Sequence, residues 1–268
     1  MSTASEDTLY ALLRASDILG CDNIYTSATN RVTNLWPSHC PPDRPSNTEV
    51  CGIRPPESAV QAIVHARKYA IRGVLKRAFY ELLRNPAFWK AVAHEHTHSG
   101  ARRSILERAK EESLLAMLSD TDIIRLQHAR WEMREAFDAL LRIPPGSIKD
   151  WRNRTCSMCP GPTQHQRSVD PSRNDAWALE LSRAPEFIRS TEHDEITRTH
   201  FIEMWLELLM RGEGQYKWCK RCLDERAYTW REARTTWWAK LDGWLKTGEG
   251  VSVAEVNRDK GKIGRAHV

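Results

Sequence analysis

The chain has 268 residues, enough for one large or two small domains, and its 41% hydrophobic and 28% charged residues exclude wholesale disorder. Its formal charge of +5 is spread among interspersed signs, so there is no basic block to mark a nucleic-acid surface, and the charges read as solvated helix exterior. No apolar run approaches the roughly 18 residues that cross a bilayer, and residues 1–7 lack the basic-then-apolar order of a secretory signal.

These features point to a reducing compartment, cytoplasmic or nuclear, where seven cysteines serve as free thiols or metal ligands rather than disulfides. Residues 7–19 read as a helix with Leu9, Leu12 and Leu13 on one face and Gly20 ending it. A second carries Ile24, Ala28, Val32, Leu35 and Trp36 and stops at Pro37. Residues 37–56 are a loop by composition, and Cys40 and Cys51 within it are free thiols. Pro55-Pro56-Glu57-Ser58 opens a helix running to about Ile71 on Val60, Ile63 and Val64, with a break at Gly73. Beyond it Val74, Leu75, Ala78, Phe79, Leu82 and Leu83 form a strong stripe ending at Asn85-Pro86, and a short helix follows to about Val92.

His94-Glu95-His96-Thr97-His98 invites a metal reading. Alternate histidines diverge on a helix, however, so in helical surroundings the segment reads as a solvated loop. A charged helix is expected over 102–118. Ser119-Asp120-Thr121-Asp122 has the capping-box pattern, and the helix it opens carries Leu126, Met133, Phe137 and Leu140 and stops at Pro144-Pro145-Gly146. His128 reads as a helix-surface or packed histidine. A helix over 175–187 with Trp177, Leu179 and Leu181 is expected. A second capping box, Thr191-Glu192-His193-Asp194, opens one with Phe201, Trp205, Leu208 and Leu209 on a face and Gly212-Glu213-Gly214 at its end.

The C-terminal half is organised by Trp218-Cys219-Lys220-Arg221-Cys222 and the tryptophan-rich segment after it. Trp237, Trp238, Leu241, Trp244 and Leu245 lie seven, eight, eleven, fourteen and fifteen residues past Trp230, one stripe of a helix, with Arg231, Glu232, Arg234, Lys240 and Asp242 on its other sides. That periodicity favours core packing over a stacking platform for bases. Cys219 and Cys222 answer an upstream pair, Cys156 and Cys159, and together the four thiols are candidate ligands of a tetrahedral structural zinc. The long gap between the pairs leaves ordinary thiols as the alternative, and His165 or His200 could replace one sulfur. His193-Asp194-Glu195 followed by Cys219-Lys220-Arg221-Cys222 imitates the layout of zinc nucleobase deaminases. Trp218 stands where that motif has proline, and the flanks lack strands, so the enzyme reading is set aside and no catalytic or cofactor-binding residue is assigned.

Several strings resemble fungal, mushroom-type BTB/POZ-domain proteins. They are Leu9-Tyr10-Ala11-Leu12-Leu13-Arg14-Ala15-Ser16-Asp17, Leu35-Trp36-Pro37-Ser38, Ala62-Ile63-Val64-His65-Ala66-Arg67-Lys68-Tyr69 and Leu75-Lys76-Arg77-Ala78-Phe79-Tyr80-Glu81-Leu82-Leu83. Cys219-Lys220-Arg221-Cys222 with Trp237-Trp238-Ala239-Lys240-Leu241-Asp242-Gly243-Trp244-Leu245 is similar to that family's C-terminus. The resemblance implies a non-enzymatic protein-interaction scaffold or adaptor, with self-association through a BTB part that precedes this region, and recruitment to a cullin-type ubiquitin ligase.

The expected architecture is all-α, two helical subdomains joined near 142–151. Residues 1–36 are the last helices of a BTB-like domain, 37–56 a loop, 57–143 a helical extension and 144–245 a C-terminal subdomain with the paired cysteine motifs. Residues 246–268 are read as a disordered tail, of which 263–268 match what a sequencing adapter encodes. Partners are expected to be proteins, not nucleic acid or membrane. The competing function, a zinc-containing nucleic-acid-binding module, requires steeply salt-dependent binding.

Overall fold

The computed structural model describes residues 5–39, 54–95, 113–145, 173–189, 195–214 and 216–245. Among them every regular element is an α-helix, as the hydrophobic periodicity predicts, and no helix is long and apolar enough to cross a membrane. Cys156, Cys159, His165, residues 191–194, the tail from 246 and the side chains of His94, His96 and His98 lie outside what is described.

The described residues fall into two compact units, one taking those up to Ala129 together with 241–245, the other those from Arg130 to Lys240. The boundary runs inside two helices, α6 (Asp120–Leu141) and α10 (Lys220–Leu245). A mid-helix boundary carries no proline or polar run, whereas 142–151 has Pro144-Pro145-Gly146 and so stands out by composition.

The first unit begins with α1 (Glu6–Leu19) packed on α2 (Asp22–Leu35), followed by α3 (Pro56–Lys68) packed on α4 (Arg72–Leu83), and α5 (Pro86–Glu95). The buried stripe of α1 is Leu9, Tyr10, Leu13 and Ser16, so it turns away from Leu12, which stays 40% exposed. On α2 the inward residues are Ala28 and Val32, with Trp36 just past its end, while Ile24 faces solvent. Helix α4 is enclosed: Val74, Ala78, Phe79, Tyr80, Leu82 and Leu83 are all buried, each large apolar side chain contributing about 1.5–3 kcal/mol on transfer from water. Its Arg77 and Glu81 are buried as an i,i+4 ion pair at 2.7 Å.

A polar knot joins the helix ends of this unit. Arg54 lies 4.3 Å from the Trp36 ring centroid, donates to the Leu35 carbonyl at 2.9 Å and pairs with Glu6. Glu6 also accepts from Ser58, at the start of α3, and the Arg54 carbonyl accepts from Asn85 Nδ2 at 3.0 Å. Asn85 in turn caps α5 through the amides of Ala87 and Phe88. Between α1 and α3 the rings of Tyr10, His65 and Tyr69 stack, with centroids 4.2 and 5.9 Å apart.

The α3–α4 break corrects the expectation at Gly73, which lies in the first turn of α4. The chain turns instead at Ala70, whose φ of 53° is left-handed. The Ile71 amide reaches back to the Ala66 carbonyl at 2.8 Å and the Ala70 amide to that of Arg67, the bond pattern in which glycine normally occupies the left-handed position. Gly20 and Gly212 fill that position after two other helices, with φ of 65° and 84°. Ala70 is exposed, so its Cβ brings strain without packing. Ala70→Gly is expected to stabilise the protein by about 1 kcal/mol in urea unfolding. A lower midpoint would show the turn to be unstrained.

Helix α6 opens as its capping box predicts. Ser119 Oγ accepts from the Asp122 amide at 3.2 Å, and Asp122 Oδ2 accepts from the Ser119 amide at 3.1 Å. Asp122 is fully buried, and Arg67 of α3 grips both its oxygens.

Candidate functional site

The second unit builds its core on aromatic side chains around the Cys219–Cys222 turn. Helix α7 (Arg173–Arg183) ends before Pro185, which splits the helix expected over 175–187 and starts the single turn α8 (Glu186–Arg189). Helix α9 (Glu195–Met210) supplies Ile202, Trp205, Leu206 and Leu209 to the core. Leu179, expected on the inner face of α7, is 42% exposed, because Ala176, Trp177 and Glu180 are the residues turned inward.

Trp177 ties three pieces together. Its Nε1 donates to the Leu141 carbonyl at the end of α6 at 2.8 Å, and its ring lies 5.3 Å from Trp205 and, edge-on, 5.7 Å from Trp218. One turn further along α7, buried Glu180 accepts from the Tyr216 amide at 2.7 Å. The approach to Cys219 is therefore held from one helix face by an indole and a carboxylate. Gly214 makes that possible: a Cβ there would sit 2.6 Å from Leu209 Cδ2 and 2.9 Å from Glu180 Oε1. Gly214→Ala should cost about 1–3 kcal/mol through this overpacking, read by thermal or urea unfolding. A variant as stable as the parent would show that the Glu180 carboxylate and Leu209 move aside freely.

Cys219 occupies the N-cap of α10. Its carbonyl accepts from the Leu223 amide at 3.2 Å, and its Sγ accepts from the Cys222 amide at 3.5 Å, where a serine or aspartate oxygen would usually stand. Cys219 is half-buried and Cys222 buried. The turn thus brings two sulfurs of the predicted set to one helix end, with an amide hydrogen bond of the kind that orients a ligating sulfur. Cys156 and Cys159 lie outside the described residues. Among the described residues no three metal-ligating side chains cluster. The segment carrying that second pair leaves α6 at Leu140 and Leu141, whose carbonyls are bound by Arg226 and Trp177, and re-enters at α7, whose Trp177 packs on Trp218. The helices on either side of it, α6 and α7, are thus tied to α10 and its approach.

The predicted tryptophan stripe on α10 is buried as expected for core packing: Trp230, Trp237, Trp238, Leu241 and Leu245 are inside and Trp244 is half-buried. Phe137 of α6 lies 5.3 Å from Trp230 and 6.3 Å from Trp237. Arg234, expected on a solvent side, is buried beside Glu203 of α9 at 3.4 Å, while Arg231 reaches the same carboxylate from the surface. Arg198 stands 4.0 Å over the Phe137 ring and donates through Nε and Nη2 to the Ile188 carbonyl.

Arg226 is the buried charge that the sequence pattern did not reveal. It is 1% exposed, lies 5.0 Å from the Trp230 ring centroid and donates through Nη2 to the Leu140 carbonyl, which it caps. The negative end of the α6 dipole offsets part of the cost of burying the charge. Burial still pulls its pKa down to about 10. Its register held a usable signal: Arg226 falls seven residues after Cys219 and four before Trp230, on the inward stripe. No protein-family model, curated protein or solved structure matches the chain.

Proposed function

We propose that the chain is a non-enzymatic protein-interaction scaffold or adaptor, working as the C-terminal part of a BTB-type protein in the cytoplasm or nucleus, as the sequence resemblance implies. The observation that carries this reading is the apolar turn end of the α1–α2 hairpin. Ile18 is 76% exposed, Leu19 72%, Ile24 49% and Leu12 40%, an unusual concentration on one short hairpin. In the resemblance these are the last helices of a BTB-like fold, so this corner is where the rest of that fold would dock. Recruitment to a cullin-type ubiquitin ligase would follow from that fold.

The test compares affinity capture from cells for the parent and for Ile18→Asp/Leu19→Asp. The reading predicts protein partners enriched by the parent over a tag control, and their loss in the variant with an unchanged melt. A parent that enriches nothing over a tag control would sink it.

Cys219 and Cys222 are further proposed to hold a structural zinc with Cys156 and Cys159. What supports this is the N-cap geometry at Cys219 and the ties of α6 and α7 to α10 and its approach. Bound there, the metal would supply cross-linking energy and no chemistry. Cys219→Ser is the informative variant, since a serine keeps the cap and removes the ligand. One zinc per parent chain, lost together with melting temperature on chelation and in Cys219→Ser, is the expected result. A metal-free parent whose melt ignores chelator would reduce the four cysteines to ordinary thiols.

A further inference from the structure

Among the described residues of the second unit, the buried side-chain nitrogens without a hydrogen-bond acceptor are Trp218 Nε1, Trp230 Nε1, and Nε and Nη1 of Arg226. All four are donors. They belong to one helix and its approach: Trp218 precedes Arg226 by eight residues, Trp230 follows it by four, and the three side chains are 6%, 0% and 1% exposed. A guanidinium is permanently charged, and one in a water-excluded core normally has a carboxylate beside it. Here the inward carboxylates described in the unit are engaged elsewhere: buried Glu180 with the Tyr216 amide, buried Glu195 with Arg198, and half-buried Glu203 with Arg234 and Arg231. The acceptor Arg226 does have, the Leu140 carbonyl, supplies only part of a charge.

What Arg226 lacks is an acceptor that also carries negative charge. Buried water would satisfy donors and leave the cation uncompensated. An oxyanion does both. We propose that the open nitrogens of Arg226, with the indole N–H groups of Trp230 and Trp218 as further donors, take a small oxyanion, a carboxylate or a phosphate, into the core of this unit.

The test uses the full chain. Its melting temperature and the indole N–H signals of 15N-labelled protein are followed against acetate and, separately, inorganic phosphate, with chloride holding ionic strength constant. An anion that binds only the folded state at hundredfold excess over its Kd raises the melting temperature by about 5–8 °C for a chain of this size. The expected result is such a saturable rise with movement of the Trp230 and Trp218 signals, abolished in Arg226→Met and retained in Arg221→Met, which alters an exposed arginine of the same helix. A response to acetate alone assigns a carboxylate; a response to phosphate assigns a phosphate-sized oxyanion. A rise of equal size in Arg226→Met, or no rise and unmoved indole signals with either anion, overturns the proposal and leaves water on those donors. Should Arg226→Met fail to fold, the indole shifts of the parent decide.

Discussion

Arg67→Ala is expected to lower the unfolding free energy by about 3 kcal/mol at neutral pH, at the low end for breaking a buried ion pair. Asp122 has no exposed surface, whereas the Arg67 side chain is 37% exposed, so losing the arginine's own burial costs little. The penalty comes from stranding the carboxylate. Burial alone would raise the Asp122 pKa; the hydrogen bonds and charge of Arg67, helped by Ser119, outweigh it and hold the group below the usual aspartate range. A carboxyl whose folded pKa is depressed gives stability that is present above its unfolded pKa, near 3.8, and is lost as pH falls through the folded value. In Arg67→Ala the opposing contributions of the arginine disappear and burial pushes the same group upward. The variant then gains relative stability on acidification, because protonation relieves the stranded charge.

The difference between parent and variant in urea unfolding should therefore be largest near pH 7 and narrow steadily toward about pH 3. Arg67→Lys should recover only part of the loss, since an ammonium cannot bridge both carboxylate oxygens. A deficit below about 1 kcal/mol at pH 7, or one that stays constant with pH, would show that the capping box alone holds Asp122. The pair also joins α3 to the start of α6, elements separated by 55 residues. The same variant thus reports whether the first unit closes through this contact.

Helices were legible where one local rule decided the outcome. Gly20, Pro37, Asn85-Pro86 and the Ser119–Asp122 box each act within a few residues, and each terminates or caps a helix where expected. The turn at Ala70 was not legible, because an alanine carries no left-handed preference; the packing of Ile71 and Ala66 imposes it. The same limit applies to Arg226, Arg234 and Glu180. Charged residues read as exterior until a partner from another helix is known, and Leu140, Glu203 and Tyr216 are 86, 31 and 36 residues away from them respectively. At the candidate metal site, spacing could pair Cys219 with Cys222. It could not show that the sulfur of Cys219 caps α10, which follows from where that helix begins.

The tryptophan core carries the second large effect. Trp230→Ala is expected to cost about 4 kcal/mol, in the range for removing a fully buried large aromatic side chain. Trp230 has no exposed surface and meets Phe137, Trp237 and the Arg226 guanidinium at 5.3, 6.3 and 5.0 Å, so its loss leaves a cavity and takes a ring face from a buried cation. Trp131, 58% exposed on α6, is the internal control: Trp131→Ala should change stability by no more than about 0.5 kcal/mol. Trp230→Phe should fall between them, because it keeps most of the apolar contact and deletes an indole N–H that has no acceptor in the protein. The contrast also separates the two readings of the aromatic stripe. A base-stacking platform needs rings that reach solvent, and substituting them would weaken a ligand while sparing the fold. A stripe that acts as core does the reverse. If Trp230→Ala unfolds within about 1 kcal/mol of the parent by far-UV circular dichroism, the indoles are not holding the second unit together. The expected loss instead makes α10 the element that fixes where Cys219, Cys222 and Arg226 stand.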